Sequence, residues 1–147
     1  MLSIARAERE EFLRMATEHF RELNPDFAPD EDWKEQYFEN IQGNPDFFLR
    51  WIAFDGTRAG FILFGLEGHR FLPRKTGAVY ELYVVPGFRR RGIARACASI
   101  AITELWSAAP SKIQLEVVVG NERAASLWKS LGFRKVTERY VLKRSPK

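Results

Sequence analysis

Hydrophobic residues recur along this chain at two spacings, and the switches between them lay out a series of helices and strands. Over residues 6–20, Phe12, Met15, Ala16 and Phe20 trace one face at helical spacing, with Leu13 and Leu23 on its flank. Asn24-Pro25-Asp26 stops that helix, and Pro29 and Asp30 start another, lined on one face by Trp33, Tyr37, Phe38 and Ile41. Gly43-Asn44-Pro45 ends it. Its aromatic side chains suit core packing, and the wall of a substrate cleft is the alternative. Residues 3–5 predict a short first strand, 47–54 and 60–66 two consecutive strands joined at Asp55-Gly56, and 78–85 a fourth. Ile93, Ala96, Cys97, Ile100, Ala101 and Glu104 return to helical spacing, and Pro110-Ser111 breaks the chain. Residues 113–119 alternate as a strand and 122–131 form a helix capped by Gly132, with 133–136 and 139–142 as closing strands. The order β-α-α-β-β-β-α-β-α-β-β is that of one mixed α/β domain over residues 1–147.

Composition narrows the class. With 147 residues, 46% hydrophobic and 29% charged, the chain has the size and balance of one globular domain. No apolar run is long enough for a membrane span, and Met1 to Glu10 lacks the apolar centre of a signal peptide, so a cytoplasmic protein without a membrane partner is expected. Cys97 is the one cysteine; it sits on the apolar side of its helix, where a buried structural thiol is the expectation. Charge is unevenly spread. Residues 1–50 hold 6 Lys+Arg against 12 Asp+Glu, a balance of −6, which leaves 17 against 7, or +10, for the rest of the stated +4. An anionic ligand therefore belongs to the second part of the chain. The acidic first part is what two solvated amphipathic helices produce, and it also suits a cationic substrate.

The stretch from Val79 to Ala98 reads V-Y-E-L-Y-V-V-P-G-F-R-R-R-G-I-A-R-A-C-A. An aromatic and β-branched strand is ended by Pro86-Gly87, a basic loop follows, and a helix starts near Gly92. A helix N-terminus carries unpartnered N–H groups and partial positive charge, so this is an anion site. Neither G-x-x-x-x-G-K-[ST] nor G-x-G-x-x-G occurs. What occurs is R-x-x-G-x-A, from Arg89 through Gly92 to Ala94, after E-L-Y-V-V-P. This resembles the pyrophosphate-binding segment of the GNAT-type N-acetyltransferase superfamily, Q/R-x-x-G-x-G/A. A second segment, G-N-E-R-A-A-S-L-W-K-S-L-G-F from Gly120 to Phe133, is similar to the family's N-x-x-A-x-x-L-Y-x-x-x-G-F. The element order resembles the GNAT fold across essentially the whole chain, which implies a mixed, mostly antiparallel central sheet flanked by helices.

The resemblance implies acetyl-CoA as co-substrate and acetyl transfer to a primary amine by direct attack in a ternary complex. The backbone of Tyr83, Val84 and Val85 is then expected to pair with the pantetheine arm, and an amide of that segment to steady the oxyanion. The amides of Arg90, Arg91, Gly92, Ile93 and Ala94 are expected to cradle the pyrophosphate, with Arg89 and Arg95 adding charge. Asn121 suits a helix N-cap and, by resemblance, a bond to the pantetheine. Strand alternation puts Glu81 on the side of Val79 and Tyr83. A carboxylate in a buried strand needs a partner or a task, so Glu81 is either a structural ion-pair member or, by resemblance, the general base for the acceptor ammonium. His19 in the first helix and His69 in a loop are weaker candidates; His69, in the 69–77 loop, could touch substrate.

The chain departs from the family pattern at Trp128, where Tyr is usual. An indole N–H cannot protonate a departing thiolate. Tyr83, Tyr140 or water remain for that part, and Trp128 can still pack on the pantetheine. No Ser or Cys is placed as a covalent nucleophile, and two distant histidines with one cysteine do not build a metal site. Two other readings compete: a non-catalytic acyl-CoA-binding sensor, supported by Trp128, and a nucleic-acid module using the arginine loop and the tail residues Lys143, Arg144 and Lys147. The second is disfavoured because the aromatics follow core spacing rather than forming an exposed stacking face. The acceptor, a small amine or a protein amine, is not legible. The family's habit of pairing final strands across subunits leaves room for a homodimer.

Overall fold

The computed structural model describes residues 1–68, 71 and 73–145. His69 and Lys147 therefore lie outside the described residues. Five strands form one sheet in sequence order: β1 (Leu2–Ser3), β2 (Phe47–Phe54), β3 (Thr57–Glu67), β4 (Thr76–Val84) and β5 (Ile113–Leu115). The first four are antiparallel and β5 joins β4 in parallel. Helices α1 (Arg9–Leu23) and α2 (Glu31–Gln42) precede β2, α3 (Ile93–Ser107) links β4 to β5, and α4 (Glu122–Ser130) follows β5. The mixed α/β architecture with a mostly antiparallel sheet is the one expected.

Local chemistry accounts for the boundaries. Asp30 caps α2 by accepting from the Trp33 N–H at 2.8 Å, and Gly43 receives its C-terminus. Asp55 and Gly56 both take positive φ, 50° and 75°, the two-residue turn whose twist matches a hairpin. Strand β3 lies at the centre of the sheet and is buried on both faces over 59–65. Phe61 and Leu63 join a core with Phe12, Met15 and Phe38 beneath α1 and α2. Ile62 and Phe64 join a second core with Cys97, Ala101 and Leu105 beneath α3, which Trp128 of α4 completes. At Gly60 the backbones of β3 and β4 approach closely: a Cβ there would lie 1.8 Å from the Tyr83 carbonyl oxygen.

The C-terminal expectation fails in part. Strand β5 stops at Leu115 rather than 119, and no strand forms over 133–136 or 139–142. Val119 and Leu142 are essentially fully exposed, as is most of Val136. An alternating sequence becomes a strand only where an edge offers hydrogen bonds, and β5, three residues long, offers almost none.

Candidate functional site

The pairing of β4 decides where chemistry can occur. Its outer edge meets β5 only over Gly77–Val79 against Ile113–Leu115. Beyond Val79 the two strands part, while β4 stays paired to β3 as far as Val84. The Val85 N–H donates to the Ala59 carbonyl at 2.7 Å, so Val85 is turned toward β3, as is the Tyr83 carbonyl facing Gly60. By alternation, the backbone groups of Leu82 and Val84 face the gap. Of the three residues expected to present backbone there, alternation leaves only Val84 turned that way, and its carbonyl accepts from Arg89 Nε.

A β-bulge lies in the same stretch. Leu63 is opposite Glu81, but the next residue, Phe64, is opposite Val79, leaving Tyr80 as the extra residue. The bulge breaks the alternation that puts Glu81 beside Val79. Val79 packs in the core under α3, whereas Tyr80 and Tyr83 pack on the α1–α2 side. Glu81 is on that second side too, because its carboxylate meets His19 of α1: His19 Nε2 lies 2.6 Å from Glu81 Oε2. Both side chains are largely buried, and the rings of Phe20, Phe61 and Tyr83 surround the imidazole at 5.2, 5.9 and 5.5 Å.

Tyr83 presents its ring to this side and its hydroxyl donates to Glu18 Oε2 at 3.2 Å. Burial, reinforced by the Glu18 carboxylate, pushes its phenol up to about 12. It is therefore a neutral hydrogen-bond donor at any ordinary pH and a poor acid toward a thiolate, whose thiol is near 8.5 for the cysteine reference. Tyr140, the other phenol in question, is exposed on the C-terminal segment and donates to Glu138.

At the end of β4, Pro86–Phe88 form a 3-10 turn and the basic loop follows. Arg90 and Gly92 both take positive φ, 63° and 77°. The first α3 bond is Ala96 N–H to the Gly92 carbonyl, so the amides of Ile93, Ala94 and Arg95 have no intrahelical partner. No acidic residue occupies the first turn, and a Cβ on Gly92 would meet no atom within 4 Å. Free amides, a left-handed glycine facing open space and surrounding cations fit a diphosphate.

The four arginines are not equivalent. Arg89 is turned back: its Nε donates to the Val84 carbonyl at 2.8 Å, its guanidinium pairs with Glu22 at 2.6 Å and it lies over the Tyr83 ring. Arg91 lies over Phe54 and Phe88, and Arg95 bonds Ser130 of α4. Arg90 alone of the four has no partner among the described residues. Asn121 caps α4, its Oδ1 accepting from the Ala124 N–H at 3.2 Å. Trp128 is buried beside Ile93 and Cys97 and meets Phe133 edge-on. The Cys97 thiol is buried and pushed up by desolvation, the behaviour of an inert core thiol. Among the described residues, no group of three His, Cys, Asp or Glu could hold a metal ion, and no helix is long and apolar enough to cross a membrane.

Three residues at this site escape sequence reasoning. His19 is undervalued, although it stands three residues after Ala16 on the inward face of α1. Glu18 and Tyr37 carry no motif. Only the fold brings them to β4.

Comparison with known proteins agrees with this geometry. The family model described as the acetyltransferase (GNAT) family matches residues 10–133. A [ribosomal protein bS18]-alanine N-acetyltransferase of Escherichia coli is 30% identical over 107 residues, 73% of this chain and 68% of its own. An acetyltransferase of Pectobacterium atrosepticum is 33% identical over 96 residues, 65% of this chain and 63% of its own. Among solved structures, a probable acetyltransferase superposes with a TM-score of 0.80 at 15% identity, covering 99% of this chain and 98% of that one. A ribosomal-protein-alanine N-acetyltransferase of Brucella melitensis gives 0.76 at 19%, covering 97% and 96%. An open strand edge leading into a helix-start anion loop, matched over most of the chain by these proteins, makes this chain an acyl-CoA-dependent acetyltransferase of the GNAT family.

Proposed function

We propose that the chain transfers acetyl from acetyl-CoA to a primary amine by direct attack, with Glu81 as general base. The observation that carries this reading is the bulge at Tyr80. It turns Glu81 onto the α1–α2 side at the level where β4 has just left β5, so the carboxylate sits beside the gap rather than in the opposite core. In this reading the pantetheine arm lies along the gap and pairs with Leu82 and Val84. A gap-side amide polarises the thioester carbonyl. The diphosphate rests on the amides of Gly92 to Arg95 with Arg90 beside it. Asn121, whose side-chain NH2 is free of its capping bond, faces the same ligand.

The chemistry asks one thing of the protein beyond positioning. The acceptor arrives as an ammonium, and Glu81 takes one proton so that the nitrogen lone pair can attack the thioester carbon. The C–S bond then breaks, and the CoA sulfur leaves with the bonding pair. Tyr83 is a wall and a hydrogen-bond donor to Glu18 rather than an acid, so the second proton, shed by the nitrogen as it becomes an amide, passes through water to the thiolate. The acidic α1 surface, with Glu18 and Glu22 near the site, favours a cationic acceptor. Since one relative is a ribosomal-protein-alanine N-acetyltransferase, a peptide with N-terminal alanine heads the panel of acceptors, followed by spermidine and tobramycin.

The test is acetyl-CoA-dependent release of free thiol across that panel. Glu81→Gln is expected to lower kcat by about 10²–10⁴-fold, the usual contribution of a positioned base, while leaving acetyl-CoA affinity unchanged. Bound acetyl-CoA with no thiol released by any amine would favour the sensor reading instead.

A further inference from the structure

The pair formed by His19 and Glu81 joins two elements that the transfer reaction does not by itself require to touch. Glu81 spends one carboxylate oxygen on His19 Nε2 at 2.6 Å. The imidazole is wedged among Phe20, Phe61 and Tyr83, so it has little freedom to move away. A third group, Tyr37, packs edge-on against Phe20 at 5.7 Å, the same ring that meets His19 at 5.2 Å. The hydroxyl of Tyr37, on α2, is buried and has no hydrogen-bond partner among the described residues, and its ring is fixed by stacking on Trp33 at 4.9 Å. Glu81 is the charge that acts on it, and burial together with that charge holds the phenol neutral well above its usual range. A buried hydroxyl without a partner is costly and calls for an explanation.

We propose that His19 and Tyr37 complete the acceptor end of the active site: His19 is a positioning residue that fixes the Glu81 carboxylate, and the Tyr37 hydroxyl takes a hydrogen bond from the acceptor nitrogen. The inference rests on the assignment of Glu81 as base. The acceptor ammonium meets one carboxylate oxygen and the Tyr37 oxygen. The proton moves from nitrogen to the free oxygen of Glu81, while His19 holds the other oxygen in place. Glu18, occupied by the Tyr83 hydroxyl and by Arg14 at 3.4 Å, and Glu22, occupied by Arg89, supply the negative surround without reaching the nitrogen themselves. A ring that only filled space would not need its Nε2 on a carboxylate, and a Phe would serve at position 37.

The experiment compares His19→Leu, His19→Gln and Tyr37→Phe with the wild type on two amines. One is whichever of the alanine peptide, spermidine and tobramycin the wild type acetylates best; the other is hydroxylamine, which is already neutral at the assay pH. With the protonated amine, His19→Leu is expected to lower kcat by about 100-fold, the scale of a misplaced catalytic group. With hydroxylamine it loses little, because no proton need be removed before the nitrogen attacks. His19→Gln, which keeps an N–H, recovers part of the loss. Tyr37→Phe raises the acceptor KM severalfold at unchanged acetyl-CoA affinity. His19→Leu combined with Glu81→Gln is no worse than Glu81→Gln alone, because the two act as one unit.

Variants equal to the wild type on the protonated amine overturn the inference, as do equal losses on both amines, which mean that His19 only supports the fold. If the wild type acetylates no amine at all, the transferase reading falls and takes this inference with it. That outcome is told apart by the silence of the unmutated enzyme.

Discussion

Tyr37, Tyr80 and Tyr83 carry a prediction that belongs to single residues. Burial is the first cause that raises each phenol; Glu81 adds to it at Tyr37, the Glu67 hydrogen bond at Tyr80 and Glu18 at Tyr83. In the unfolded chain all three titrate near 10. Below that value both states hold the proton and the folded state keeps its full advantage. As pH rises from 10 toward 12, the unfolded chain ionises while the folded one does not, so stability is lost. For the well-buried Tyr37 the loss approaches about 1.4 kcal/mol per pH unit. Thermal melts at pH 8, 10 and 11 should show the Tm falling by a few degrees per unit above pH 10, less steeply in Tyr37→Phe. A Tm indifferent to alkali up to pH 11 would contradict the burial of these hydroxyls.

Residue identity alone made part of the site legible. Gly92 was readable because R-x-x-G-x-A after a strand predicts a helix start, and Asn121 because a short polar residue before a helical run predicts a cap. The facing of Glu81 was half readable: alternation from Tyr83 gives its side, and alternation from Val79 gives the wrong one. Alternation assumes an unbroken pleat, and the extra residue at Tyr80 leaves no mark in the sequence, since bulge and strand are built from the same residue types. His19 was hidden for a related reason: its partner lies 62 positions away, and helical spacing reports which face a histidine takes but not what it meets.

At the scale of elements, the open edge of β4 is held in shape by Arg89. Its guanidinium ties the Val84 carbonyl, at the end of the strand, to Glu22 near the end of α1. Arg89→Ala should therefore act on stability. Loss of a charged hydrogen bond to a part-buried carbonyl costs about 1–2 kcal/mol, a Tm several degrees lower. Arg90→Ala should do the opposite, leaving the Tm in place and weakening acetyl-CoA binding, because that side chain has no partner to lose. Equal effects of the two variants on both quantities would contradict the division. The motif specifies Arg89 and leaves position 90 open, and only their neighbours show that Arg89 is committed to the fold while Arg90 is not.

Elements with buried partners were the legible ones. The two-residue turn at Asp55-Gly56, strand 47–54 and the amphipathic face of α1 follow from local rules that the core reinforces. The strands expected at 133–136 and 139–142 do not form, although they carry strand-type residues such as Phe133, Val136, Tyr140 and Val141. Their side chains are mostly exposed, and no neighbouring strand reaches them. Pattern predicts a strand's faces; a partner makes the strand.

At the scale of the whole molecule, the sheet separates two kinds of surface. The acidic N-terminal helices cover the face where Glu81, His19 and Tyr83 meet, and Arg90, Arg91 and Arg95 lie at the start of α3. An anionic co-substrate thus has a complementary surface at the start of α3, and the acidic helices lie on the other side of β4. The uneven charge of the sequence foreshadowed this, but not its sharpness, because β4 has to pass between the two regions before they become the two sides of one gap.

The anion loop and the open edge have to bind one ligand together. Calorimetric titration of acetyl-CoA into the wild type and into Gly92→Trp tests that directly. The wild type is expected to bind in the micromolar range, about −8 kcal/mol. Binding is expected to be lost in the variant, whose side chain occupies the space in front of the α3 amides at a backbone angle suited to glycine. A folded wild type that binds no acetyl-CoA, or a folded Gly92→Trp that binds it as well as the wild type, would refute a shared site for the two.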